Sequence, residues 1–266
     1  MKAFLKWAGG KSRISSEIKF HFKEGSRLVE PFVGSGALFL NTSFENYLLC
    51  DTNSDLINLY KNLKNFPDKL ISKTKKMFSK KNNSEDQFYI NRERFNLLNS
   101  EDLEKSALFI YLNKHAFNGL CRYNSRGYFN VPFGKYKNPE FPEIKMYNFA
   151  DKSQKAIFKC QDFTKTFAEI KDDDIVYCDP PYVPLSATSN FTSYSKNDFN
   201  FKDQEQLAKC AAHLKSKGVQ CIISNHNLEI TRNLYKKSKI YEIEVQRNIA
   251  SKSSSRVKVS ELIAVF

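Results

Sequence analysis

A chain of 266 residues, 41% hydrophobic and 27% charged, can bury a full core and is neither a disordered polymer nor a membrane-embedded one. Lys and Arg number 42 against 29 Asp and Glu, and the resulting +13 points to a polyanionic partner, because basic side chains release counterions from phosphates. Six scattered cysteines without a C-x-x-C pair, no long apolar run and no leader-like start weigh against zinc, disulfides, a membrane span and secretion. A soluble cytoplasmic protein with buried free thiols is expected.

Arg27 to Pro31 reads as a strand, Gly34-Ser35-Gly36 as a turn, and Ala37 to Leu40 as the opening of a helix. Tyr47 to Cys50 forms a second apolar strand ending on Asp51, and Asn53 precedes Leu56, Ile57, Tyr60 and Leu63 at helical spacing. Residues 66 to 115 are polar and Lys-rich, with Leu103, Ala107, Ile110 and Tyr111 again at helical spacing, which predicts a helical insertion. From 116 to 147, Asn118-Gly119, Gly127, Pro132, Gly134, Pro139 and Pro142 punctuate aromatic residues, the pattern of hairpins and loops. Strand patterns return at 156–160, 175–178, 219–223 and 239–245, with a helix near 203–217, and the chain ends on Leu262-Ile263-Ala264-Val265-Phe266. Strands alternating with helices at both ends imply an α/β fold with one mostly parallel sheet and an insertion in its middle. Positive charge gathers in two places: residues 114–147 hold six Lys or Arg against two acids, and residues 232–258 hold eight against two. Both are candidate polyanion-facing surfaces.

Phe32-Val33-Gly34-Ser35-Gly36 stands where the first strand meets its helix, a place where missing side chains let backbone amides approach a nucleotide-like ligand. Glycines at this spacing also occur in ordinary turns. Asp51 ends the next strand, where an acid can accept hydrogen bonds from ribose hydroxyls or simply cap a helix. Lys11 follows Gly9-Gly10 and suits the carboxylate of an amino acid moiety, although such a Lys is more often part of a turn; Trp7, the only tryptophan, is more often core. The most specific signal is Asp179-Pro180-Pro181-Tyr182, directly after the apolar run Ile175 to Cys178 and so at the carboxyl edge of the sheet. An exocyclic amino group is a poor nucleophile because its lone pair is delocalised into the base. The Asp179 carboxylate and a carbonyl held by consecutive prolines, that of Pro180, can accept both its hydrogens and favour a tetrahedral nitrogen in line with a sulfonium methyl. Tyr182 offers a face on which an extruded base can stack.

LKWAGGK, EPFVGSG, Asp51-Thr52-Asn53, NGLCRYNSRGYFNVPFG, YCDPPY, PLSATSNFTSY and Ile223-Ser224-Asn225-His226 occur in an order that resembles the Dam-type DNA adenine methyltransferases over nearly the whole chain. The resemblance implies a class I methyltransferase Rossmann-like sheet with a helical and β-hairpin target-recognition insertion. Residues 1–60 and 148–266 would form the catalytic domain and 61–147 the recognition domain. It implies S-adenosylmethionine as methyl donor, S-adenosylhomocysteine as product, and transfer to adenine in double-stranded DNA, at GATC, by base flipping and direct in-line attack without a metal. Trp7, Lys11, Phe32, Gly34, Gly36, Asp51, Asp162, Phe163 and Asp179 would bind the cofactor. Lys6 would meet the outer guanine region, while Leu120, Arg122, Pro132 and Tyr136 read the remaining bases; a guanidinium can satisfy two guanine acceptors at once. Asn118, Asn124, Asn130 and Ser186 would position phosphates or loops. Phe117 stands where relatives place an inserting tyrosine, Lys135 where an arginine grips phosphate, and Ser251 to Arg256 lacks glycines found in some relatives. A monomer is expected, with a cognate restriction endonuclease as a further candidate partner. Two rivals stay open: a methyltransferase for cytosine amino groups or protein glutamine amides, and a DNA-binding regulator that has lost catalysis. Asp179 and the basic hairpin favour adenine in DNA, and the intact Gly34 to Gly36 and Asp179 to Tyr182 segments argue against the regulator.

Overall fold

The computed structural model describes residues 1–183, 199–246 and 258–266. Among these the chain runs α1 (Ser15–Phe20), β1 (Arg27–Glu30), β2 (Asn46–Asp51), α2 (Ser54–Asn65), α3 (Pro67–Lys76), α4 (Glu85–Leu97), α5 (Leu103–His115), α6 (Glu143–Ser153), β3 (Ala156–Cys160), α7 (Phe163–Phe167), β4 (Asp174–Cys178), α8 (Phe201–Ser216), β5 (Gln220–His226), α9 (Glu229–Leu234), β6 (Lys239–Gln246) and β7 (Lys258–Val265). The strands are ordered β3-β2-β1-β4-β5-β7-β6, one sheet of the expected α/β class. β1, β4 and β5 run parallel, with Leu28 opposite Ile175 and Val176 opposite Cys221. Every residue of β4 is buried, which is why it reads as a continuous apolar run rather than an alternating one. The sequence reverses direction across the sheet between β1 and β4, and both strands end at the same edge, where open α/β sheets take their ligands. Arg27 pins that register by a two-pronged hydrogen bond to Asp174, at 2.8 and 2.6 Å.

Four features of the fold qualify the sequence pattern. Ala37 to Leu40 opens no α-helix; only a 3-10 turn at Phe39–Asn41 forms. The Asn41 amide and Thr42 hydroxyl take the carbonyls of Ala37 and Leu38 that a continuing helix would need. The hairpin region of 116–147 holds two isolated bridges, Ala116 with Phe133 and Tyr123 with Phe129, and its last residues already belong to α6. The end of the sheet is antiparallel, because β7 pairs with β5 on one side and β6 on the other. Finally, Cys50, Cys178 and Cys221 are buried free thiols as expected, but Cys160, at the end of β3, is exposed.

The chain divides into two compact units: Met1–Ser15, Val33–Ser43 and Leu49–Gln161 form the first, and Ser16–Phe32, Phe44–Leu48 and Asp162–Phe266 the second. The first is centred on Phe4, Tyr60, Phe149 and Phe158, with the Tyr60 and Phe149 rings 4.6 Å apart, and on α5, which is buried on every face from Ser106 to His115. The second packs around Leu28, Val29, the β4 residues, Cys221 to Ile223 and Leu262 to Ala264. No helix among the described residues is long and apolar enough to cross a membrane.

Candidate active site

In the first unit, β2 delivers Asp51 at its carboxyl end, and Asn53 caps α2 by accepting from the Leu56 amide. One Asp51 oxygen accepts the Gly34 amide at 3.1 Å and the other the Asn53 amide at 3.0 Å. Burial raises the Asp51 pKa, and the backbone amides of Asn53, Gly34 and Thr52 pull it back. A carboxylate has about four acceptor positions, so with three backbone amides on it this one keeps capacity for a ribose hydroxyl. Any side chain at Gly34 would be strained: its φ is +46°, and an added Cβ would lie 2.8 Å from the Trp7 indole nitrogen. Its carbonyl accepts from the buried Tyr60 hydroxyl at 2.6 Å. Trp7, Gly34 and Asp51 are thus held together, and the turn offers the close backbone approach that a nucleoside-bearing cofactor needs. Gly36 shares the left-handed conformation, at φ +67°. Lys11 is buried and its ammonium donates to the Gly9 carbonyl at 2.9 Å.

In the second unit, Phe32 and Phe163 stack with centroids 5.7 Å apart, and Phe199 stands edge-on to both. Asp162 has a structural duty as the N-cap of α7, with one oxygen accepting from the Thr164 amide and hydroxyl. Asp179 is partly exposed immediately after β4, and Pro180 is buried. The Tyr182 hydroxyl donates to Glu261 on β7 at 3.0 Å, and its ring meets His226 edge-on at 4.8 Å. Burial, then the nearby Asp179 carboxylate, holds the Tyr182 phenol protonated far above its usual range.

Apart from Ser186 and the basic stretch 232–258, the DNA-facing candidates lie in the first unit. Lys6 spans the two sides of its own peptide to Asn113, whose side chain accepts its amide and donates to its carbonyl. The Lys6 ammonium sits 4.0 Å over the Tyr136 ring, and its stem lies so close to Gly119 that an added Cβ would meet it at 2.3 Å. Burial lowers the Lys6 pKa. Arg122 is exposed and its guanidinium rests on Asn130 at 2.8 Å, so these two side chains are brought together. Asn124 closes the hairpin tip by accepting the Arg126 and Tyr128 amides. Asn118 adopts a left-handed φ of 52° beside the exposed Phe117, whose amide is bound by the Pro132 carbonyl. Leu120 is half-buried, and Lys135, also left-handed, lies 3.9 Å from Glu85. Ser186 and the residues Ser251 to Arg256 lie outside the described residues. The PLSATSNFTSY segment, residues 184–194, lies wholly outside them too.

Sequence reasoning did not find Asn113, Glu261 or Asp55. Asp55 is a buried carboxylate that gathers the Lys105 ammonium at 3.3 Å, the Ser100 hydroxyl and the Tyr123 hydroxyl, fastening the hairpin next to Arg122 onto α2. Its position two residues beyond the Asn53 cap was the only available signal. Among the described residues no group of three or more His, Cys, Asp or Glu is arranged to hold a metal ion.

The solved rRNA methyltransferase aviRa of Streptomyces viridochromogenes is similar at a TM-score of 0.43 and 11% identity, covering 100% of this chain and 90% of that one, too distant to bear on the site. The DNA adenine methylases of Escherichia coli K12, Serratia marcescens and Vibrio cholerae El Tor are 46%, 48% and 47% identical over 100% of this chain and 95%, 98% and 96% of theirs. Residues 7–249 match the model of the D12 class N6 adenine-specific DNA methyltransferases, and the chain belongs to that family.

Proposed function

We propose that this adenine-specific DNA methyltransferase uses S-adenosylmethionine to methylate the exocyclic amino nitrogen of adenine in GATC, on a base extruded from double-stranded DNA. The observation that carries the reading is Asp179-Pro180-Pro181-Tyr182 at the carboxyl end of the buried strand β4. The Asp179 carboxylate and the Pro180 carbonyl accept the two amino hydrogens, and Tyr182 supplies the stacking face. S-Adenosylmethionine supplies an electrophilic methyl on a sulfonium. With that group bound, the methyl would pass to the amino nitrogen with release of S-adenosylhomocysteine, and Asp179 or water would take the proton lost there. Asp51 binds a ribose hydroxyl, Lys11 the amino acid carboxylate, and Trp7, Phe32, Gly34, Gly36, Asp162 and Phe163 shape the rest of the cofactor site. Residues 61–147 act as the recognition domain, with Lys6, Leu120, Arg122, Pro132 and Tyr136 reading bases and Phe117, Asn118, Asn124, Asn130, Lys135 and Ser186 holding backbone and loops. The chain works as a cytoplasmic monomer. These residue roles are supported by the motif order and by the full-length similarity of the relatives named DNA adenine methylase.

Mapping methylated adenines in DNA from cells that express the chain tests the specificity. Methylation confined to GATC is expected; adenine methylation spread over other contexts would overturn the site assignment. Asp179→Ala is expected to leave the fold intact and lower methyl transfer by about a hundredfold or more, the scale of losing one transition-state hydrogen-bonding group. A variant within a few fold of wild type in a tritium-transfer assay would remove the proposed role of Asp179.

A further inference from the structure

Gln204 on α8, Asn225 on β5 and Tyr235 at the end of α9 meet inside the second unit, exposed by only 3%, 0% and 0%. The Asn225 amide donates to the Gln204 side-chain oxygen at 3.1 Å and to the Tyr235 hydroxyl at 3.0 Å, and that hydroxyl reaches the same Gln204 oxygen at 3.2 Å. Each amide then spends its other end on the Asp179 to Val183 segment. Gln204 donates to the Pro181 carbonyl at 2.7 Å, and Asn225 accepts the Val183 amide at 3.2 Å. The backbone is therefore gripped on both sides of Tyr182 by one closed set of side chains. His226 adds a contact at 2.7 Å from its Nδ1 to the Val183 carbonyl while its ring supports Tyr182.

The polarity of this set is forced. A carbonyl only accepts and an amide N–H only donates, so Gln204 must turn its NH2 toward Pro181 and Asn225 its oxygen toward Val183. That leaves the Gln204 oxygen and the Asn225 NH2 facing inward, and the Tyr235 hydroxyl completes the cycle by accepting from one and donating to the other. A core that only had to be filled would use apolar side chains; a fully satisfied polar network instead specifies where its members stand. We propose that Gln204, Asn225 and Tyr235 are positioning residues for methyl transfer, fixing Tyr182 and the adjoining Asp179-Pro180 acceptors in their working geometry without touching substrate. The proposal rests on the reading of Asp179 to Tyr182 given above.

Tyr235→Phe removes one hydroxyl and preserves the shape, while Gln204→Met removes the donor to Pro181. Single-turnover methyl transfer from tritiated S-adenosylmethionine to a GATC duplex would be measured with both ligands saturating, alongside the affinity for each and thermal unfolding. Expected are rates lowered roughly tenfold for Tyr235→Phe and more for Gln204→Met, with both affinities within about twofold of wild type, since small displacements of catalytic groups act on the chemical step. Because the set works as a unit, the double variant is expected to be no slower than Gln204→Met alone. Variants that unfold at lower temperature yet transfer at the wild-type rate would overturn the proposal and leave a purely structural role. Tyr182→Ala separates the two levels. A slow Tyr182→Ala beside fast Tyr235→Phe and Gln204→Met sinks the positioning role alone, and a fast Tyr182→Ala sinks the stacking role and the positioning role with it. Should Gln204→Met fail to fold, the rate of Tyr235→Phe decides.

Discussion

Asp51 binds two backbone amides at once, so its replacement acts on the Gly34 turn as well as on any ribose. Asp51→Ala is expected to weaken S-adenosylmethionine binding by roughly 1.5 to 3 kcal/mol, the scale of hydrogen bonds to a charged group, while sparing salt-dependent DNA binding. Unchanged cofactor affinity by calorimetry would count against the assignment. Arg122 poses a different question, because its exposed guanidinium already donates to both the side chain and the carbonyl of Asn130, at 2.8 and 3.4 Å. Arg122→Ala should cost roughly 1 to 3 kcal/mol at one base pair of the proposed GATC site and relax preference there. Arg126, exposed in the same hairpin, is the control. Rates on duplexes altered one base pair at a time, at fixed salt, make the comparison, and uniform slowing by the Arg122 variant would show that it grips the backbone instead. Asp51 and Asp179 were legible in the sequence because each ends an apolar strand, and a strand end is visible in a one-dimensional pattern. Glu261 and Asn113 were not, since their partners Tyr182 and Lys6 lie 79 and 107 positions away and only the packing brings them together.

At the scale of elements, periodicity exposed the strands well, because β4 and β5 are buried along their whole length and stand out against polar surroundings. It misjudged Ala37 to Leu40, where an equally buried run is cut short by side-chain bonds to its own carbonyls. It also gave no warning that α5 is buried all round and carries Lys114 and His115 into the interior, at 7% and 1% exposure. His115 Nδ1 lies 2.8 Å from the Tyr111 carbonyl, which can only accept, so the proton sits on that nitrogen and is donated to it. Burial lowers its pKa to about 4, with the Tyr111 carbonyl opposing and the Lys6 charge assisting. The unfolded chain takes up a proton near the ordinary value of 6.5 and the folded chain does not, so stability is full above that value and falls as pH drops toward 4. Between pH 7 and 5 the imidazole should contribute a loss of about 2 kcal/mol. His115→Gln, which can still donate to Tyr111, is expected to lack this part of the slope in urea unfolding at the two pH values. Lys114, lowered by burial to about 8, stays mostly charged across that window and does not blur the comparison. Equal slopes for both proteins would mean that His115 is not held neutral.

Taken whole, the molecule carries +13, and the proposed polyanionic substrate makes that charge measurable. The two basic stretches found in the sequence make distinct claims. Lys135 and Lys137 are exposed in the hairpin region, and Lys236 and Lys237 are exposed after α9. Each phosphate neutralised by a side chain contributes about −0.9 to the slope of log affinity against log salt. Replacing Lys135 and Lys137 with Gln should therefore flatten that slope by roughly one to two, and so should replacing Lys236 and Lys237, if both stretches face the duplex as proposed. Sequence preference should not move in either case, because phosphates position a protein without identifying the bases between them. Titrations of a GATC duplex and a scrambled duplex over a series of salt concentrations supply both readings from one data set. A pair whose removal leaves the slope unchanged belongs to solvated surface, where its charge serves solubility and not binding. A pair whose removal changes the gap between the two duplexes instead lies among the base-reading groups, and would have to be moved from the backbone-holding set to the company of Arg122.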